Sequence, residues 1–146
     1  MIINQLNPIY LILGFITVWI GVSALISLIG GWYRIAKQFP LTAGNVDIIN
    51  SFSWQSLNLN RRCSYRSCVN IKIIDKGLII STAFIFAVLH SPIFLAWDSM
   101  SDLEYKDSWL KRLTFCLGQD KIVIYGKAAK AIYQMICFKK TALTEV

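Results

Sequence analysis

One histidine, four cysteines and a run of arginines are the residues of this 146-residue chain whose types could do chemistry. His90 stands beside Ser91, but neighbours in an extended loop point in different directions. Nucleophilic catalysis needs hydrogen-bond reach and an orienting acid. Cys63 and Cys68 have four residues between them, unlike the paired CxxC of a zinc ribbon, and Cys116 and Cys137 stand alone. A single histidine leaves no His-rich metal site. No catalytic residue, metal or cofactor is therefore expected, and the chain reads as non-enzymatic. Arg61, Arg62 and Arg66 lie in a basic loop, Arg61-Arg62-Cys63-Ser64-Tyr65-Arg66. Beside a membrane each basic side chain contributes about 1 kcal/mol of attraction to anionic lipid. The loop is a candidate lipid-binding site, set against the plainer reading of a solvated basic loop. The net charge of +7 has no stacking platform with it, so nucleic acid is not an expected partner.

Where the apolar residues fall decides what positions these groups. The chain is 55% hydrophobic and only 16% charged, greasier than an ordinary soluble domain. No charged side chain occurs from Met1 to Tyr33, and Ile9–Ile29 is almost wholly apolar. At about 1.5 Å per residue that run spans roughly 30 Å, the thickness of a bilayer core. Inside lipid it must be helical to satisfy its own peptide groups. It lacks the basic start and short apolar core of a cleaved signal peptide, so a retained anchor is expected. Trp32 and Tyr33 are expected in the headgroup layer, with Arg34 and Lys37 beyond it. Gly31–Phe39 should continue the helix until Pro40 stops it. Ser23, Ser27 and Gly31 recur every fourth residue, a small-residue face that could admit a partner helix.

Residues 77–97, GLIISTAFIFAVLHSPIFLAW, carry no charge either. A second span there would divide the fifteen Lys and Arg residues seven to eight across the membrane. A single span puts all fifteen on one side. Positive charge marks the cytoplasmic side. Pro92 also disfavours a helix, and Asp75-Lys76-Gly77 reads as a hairpin turn, with Gly77 able to take positive φ. The expected topology is single-pass in the cell membrane, with the N-terminus outside and the C-terminal domain cytoplasmic. The two-span chain, with 77–97 as a second helix, is the alternative. Within this run Phe84, Ile85, Phe86 and Leu89 belong to a consecutive apolar tip. It would rest on the bilayer or another protein, or else fold over the domain's own core.

Elsewhere short alternating segments read as strands. Phe52 and Trp54 share one face before the phase shifts to Leu57 and Leu59, as a bulge in a bent strand would produce. Val69–Ile73, Leu103–Lys106, Leu113–Leu117 and Ile122–Tyr125 follow. Ala128, Ile132, Met135 and Ile136 then make one face of a closing helix whose other face holds Lys127, Lys130 and Gln134. The expected fold class is α+β: an N-terminal transmembrane helix, then a bent antiparallel barrel of about seven strands capped by an amphipathic helix. That is a pleckstrin-homology-like architecture. The expected boundaries are an anchor with juxtamembrane extension at 1–39, a linker at 40–51 and the domain at 52–146.

The order Tyr65-x-x-Cys68-Val69-x-Ile71, Asp75-x-Gly77-Leu78-x-Ile80-Ser81, His90-x-Pro92 and Ala96-Trp97-Asp98 resembles a group of small bacterial membrane proteins with a pleckstrin-homology-like domain. In them "GL-x-L-S … HPP … PW-x-EI" recurs; here Ser91 and Ala96 replace prolines, and Ser99-Met100 replaces Glu-Ile. The likeness covers about residues 32–125 and implies a fold without a function. In pleckstrin-homology-like folds the first hairpin loop can bind anionic headgroups, which the resemblance extends to Arg61–Arg66. The expected role is a membrane-anchored scaffold or accessory subunit with a protein partner, and the alternative is an anionic-lipid-binding module.

Overall fold

Asn7 and Pro8 begin the first helix for separate reasons. The Asn7 side chain accepts a hydrogen bond from the Ile9 amide at 3.2 Å, and proline in the first turn has no N–H to lose. The computed structural model describes residues 7–42 and 44–145. The first six residues of the expected anchor, Ala43 of the expected linker and Val146 at the domain's end lie outside them. Helix α1 spans Pro8–Gly30, with a mean hydropathy of 2.4 in its most apolar window. Its 23 residues measure about 34 Å, long and apolar enough to cross a bilayer. Only 11% of that window is buried against the rest of the protein.

The helix does not run on as expected. Gly31 takes φ 87, a left-handed conformation that ends α1 and opens α2, Trp32–Gln38. The turn sets the apolar face of α2 against the sheet. Trp32, Ile35 and Ala36 are consequently buried in the domain core, and Trp32, expected in the headgroup layer, is 1% exposed.

Seven strands follow among the described residues: β1 Ile48–Leu59, β2 Cys63–Ile74, β3 Gly77–Thr82, β4 Ile93–Ala96, β5 Ser101–Lys106, β6 Arg112–Leu117 and β7 Asp120–Tyr125. They form one antiparallel sheet, ordered β4-β3-β2-β1-β7-β6-β5. The first strand begins at Ile48, inside the segment read as linker. Its expected bulge is present as register shifts between Phe52 and Leu57, where Trp54 has φ 58. The shift bends β1, so that only Ser56–Leu59 pairs with β7 and the sheet curls into a half-barrel. Helix α3, Lys127–Thr144, closes it by burying Ala128, Ala129, Ile132 and Ile136. The fold is α+β, with an apolar core of Leu57, Ile71, Leu78, Leu95, Phe115 and Ile124 between sheet and helices.

Residues 77–97 fold back and are not a second helix: β3 pairs with β4 from Gly77↔Ala96 to Ile80↔Ile93. Gly77 lacks positive φ; it is required because an added Cβ would lie 2.0 Å from the Leu95 carbonyl oxygen. The tip between these strands is not a strand. β3 stops at Thr82, and Phe84–Phe86 form one 3₁₀ turn.

Candidate functional site

The segment from Ala83 to Ser91 leaves the sheet and lies along α1. The Trp19 indole N–H donates to the Ile85 carbonyl at 3.0 Å, and the Trp19 and Phe86 rings pack with centroids 5.4 Å apart. The Ser27 hydroxyl donates to the Leu89 carbonyl. Trp19 precedes the end of α1 by eleven residues, so the tip reaches roughly 16 Å along the helix. Phe84, Ile85 and Leu89 are left uncovered, at 93%, 57% and 41% exposed, whereas Phe86 packs against the domain core.

The carbonyls of this segment are all provided for. The carbonyls of Ala83, Phe84 and Ala87 accept from the amides of Phe86, Ala87 and His90. Those of Ile85 and Leu89 take the Trp19 and Ser27 donors, that of Phe86 the Thr82 hydroxyl, and that of Val88 the His90 ring. Every carbonyl from Ala83 to Leu89 thus has a partner within the protein. An aqueous loop has no such need, since water would serve.

The base of the segment is held by an aromatic cluster. Trp32 stands 5.1 Å from Tyr65 and 5.4 Å from His90 between ring centroids, and its indole N–H donates to the Ser91 carbonyl at 3.0 Å. A carbonyl can only accept, so the 2.8 Å contact to Val88 places the His90 proton on Nδ1. Nε2 is left to accept from the Tyr65 hydroxyl at 3.2 Å. Burial pushes the His90 pKa down and the Tyr65 pKa up, so both groups are neutral. His90 has a structural role in this arrangement.

The small-residue face of α1 has an occupant from its own chain. Ser23 and Ser27 are buried, Ser27 under the Leu89 carbonyl. Gly31, expected to complete the stripe, is the helix break. Gly30 takes its place, since a Cβ there would lie 2.5 Å from Cys63 Sγ. The close approach that these small residues permit serves the β-domain.

On the other side of that break stands the β1–β2 hairpin tip. Asn60 and Arg61 have φ 53 and 57, and the Arg62 amide donates to the Leu59 carbonyl, a β-turn of the primed type within the three-residue loop between Leu59 and Cys63. Asn60 ties the tip to β7: its Nδ2 donates to Asp120 at 2.7 Å, and its Oδ1 accepts from the Lys121 amide at 2.7 Å. Asp120 also receives Arg34 of α2 as an ion pair. The three candidate arginines do not converge. Arg61 lines a cavity of about 340 Å³ with Lys106, Arg112 and Lys121. Arg66 lines another, of about 400 Å³, with Ser56, Ser67 and Leu110. Arg62 is exposed and lines neither.

The four cysteines are free thiols. Trp19, Lys106, Arg112 and Lys121 carried no signal as site residues. An indole in an apolar helix and basic residues in alternating strands are ordinary there, and only the tertiary fold brings them together. Comparison with protein-family models, with curated proteins and with solved structures finds no match.

Proposed function

We propose that this is a single-span membrane protein whose pleckstrin-homology-like domain is fixed face-down on the cytoplasmic leaflet. It acts there as a non-enzymatic scaffold or accessory subunit. The observation that carries this reading is the 83–89 segment, with exposed apolar side chains and every carbonyl satisfied, seated halfway along an apolar helix. Non-helical backbone at membrane depth is tolerated only where its polar groups find protein partners; here every carbonyl from Ala83 to Leu89 has one, as do the amides of Ala83, Phe86 and Ala87. The bilayer would bury the Phe84, Ile85 and Leu89 side chains left uncovered by the protein. All fifteen Lys and Arg residues follow α1, which supports an outside N-terminus.

A domain held at three places, by α2, the 83–89 wedge and the hairpin tip, has little freedom to swing. Such a domain suits a scaffold that offers a fixed surface. The end of the sheet away from the hairpin tip carries the β5–β6 turn, where Trp109 is 97% exposed and Leu110 45%. This is the surface proposed for the protein partner.

The exposed Cys137 of α3 gives the test of orientation. In the full chain, a membrane-impermeant maleimide should label Cys137 in inverted vesicles and not in intact cells. Labelling from outside would overturn the topology. For the scaffold role, a stoichiometric partner should co-purify with the wild-type chain and be lost from Trp109→Ala. Absence of any partner would remove that role.

A further inference from the structure

The outer face of β1, β7, β6 and β5 holds a site separate from the wedge. We propose that the groove lined by Arg61, Lys106, Arg112 and Lys121 binds a phosphate-bearing anion. Alternation and register bring the groove together. Lys121 and Tyr125 on β7 share a face with Arg112 and Thr114 on β6, with Arg112↔Tyr125 and Thr114↔Val123 as paired residues. Lys106 stands opposite Arg112 on β5, and Glu104 opposite Thr114. Arg61 enters from the hairpin tip, which Asn60 locks onto Lys121. The floor of Thr114 and Val123 is buried although it faces outward, in keeping with long basic stems lying over it.

Charge balance points to a ligand. Four cations face one carboxylate, Glu104, which pairs with Lys106 at 3.3 Å. Among the described residues no carboxylate lies within ion-pairing distance of Arg61, Arg112 or Lys121. Like charges around one concavity repel, and an anion between them relieves this. Guanidinium forks from Arg61 and Arg112 with the Lys121 ammonium form a donor set matched to phosphate oxygens. Tyr125 adds a neutral donor: its hydroxyl oxygen accepts from Asn58 Nδ2 at 3.0 Å, leaving its proton free. A volume of about 340 Å³ accommodates a phosphorylated headgroup or a small soluble polyphosphate.

The same chemistry has two sources, a lipid headgroup and a soluble anion. The Arg61–Lys121 end of the groove adjoins the α1–α2 break, since Asn60 Nδ2 lies 3.8 Å from a Cβ placed on Gly31. A headgroup in the adjoining leaflet could reach it. The groove belongs to the sheet, so its existence does not depend on whether α1 crosses a membrane.

The experiment uses the full chain in phosphatidylcholine nanodiscs, with inorganic pyrophosphate titrated calorimetrically in one arm. In the second arm, detergent-solubilised chain is mixed with phosphatidic acid and retained lipid is read by native mass spectrometry. Arg112→Gln combined with Lys121→Gln should weaken binding by about tenfold or more, while Arg66→Gln should leave it unchanged. Circular dichroism confirms that each variant keeps its strands. Binding in the first arm alone assigns a soluble anion, and in the second alone a lipid headgroup; either supports the site. Silence in both arms, an equal loss in Arg66→Gln, or equal competition by a polyglutamate peptide would overturn it.

Discussion

The segment at Phe84–Leu89 and the turn at Trp109–Leu110 both leave large apolar side chains uncovered, yet they are built in opposite ways. The first lies along α1, takes hydrogen bonds from Trp19 and Ser27, and leaves no carbonyl from Ala83 to Leu89 without a partner. The second stands at the other end of the sheet. There the Ser108 hydroxyl reaches the Leu110 carbonyl at 2.9 Å, and among the described residues no side chain from outside the turn donates to it. The difference teaches that exposure of an apolar side chain does not by itself reveal its surroundings. The backbone beneath it does. Carbonyls that are all served from inside fit lipid, whereas an open turn fits water and a protein partner that replaces some of that water.

The comparison breaks hardest at the anchor of the first region. Trp32→Ala removes a fully buried aromatic and the donor to Ser91, and should cost about 3–5 kcal/mol by denaturant titration of the full chain in nanodiscs. It should also free the 83–91 segment to proteolysis at its base. A loss below about 1 kcal/mol would show that the aromatic cluster does not hold the wedge.

Next in size is a matched pair of charges. If the tip is in lipid as proposed, Phe84→Asp puts a carboxylate there and should cost about 2.5–3.5 kcal/mol. Trp109→Asp, in water, should stay within about 0.5 kcal/mol. Equal effects at the two sites would erase the distinction.

The smallest effect is pH-dependent. Burial keeps the His90 pKa below its ordinary 6.5 in the folded chain, so the unfolded chain takes up the proton first. His90 therefore makes its full contribution above about 6.5, and that contribution falls as pH drops from there toward the folded pKa. Stability curves of the wild type and His90→Gln should converge over that range. Parallel curves would mean that His90 is not held neutral by burial.

Much of the scaffold was legible in the sequence because it depends on local pattern. The uncharged run Ile9–Ile29 required a helix, Leu113–Leu117 required a strand, and the phase change after Trp54 required a bulge. What was not legible depends on contacts between distant residues. Gly31 read as a residue of a continuous helix, and Gly77 as a turn residue. Only the fold shows that the first redirects Trp32 into the core and the second makes room for the Leu95 backbone. The Arg61–Arg66 loop read as one basic cluster, but Arg61 sits at the hairpin tip and Arg66 lies further along β2, where it lines a second cavity with Ser67 and Leu110. Register across β5, β6 and β7 then supplies Arg61 with new neighbours. Strand alternation tells which side a residue faces; which other strands share that side is a property of the sheet order.

The wedge reading is tested most directly by a photoreactive benzophenone side chain at position 84, and separately at 109, in the full chain within phospholipid nanodiscs. Irradiation should give phospholipid adducts at 84, as at Phe15 of α1, and none at 109. Adducts at Phe15 but not at 84 would place the tip in water and contradict the face-down domain.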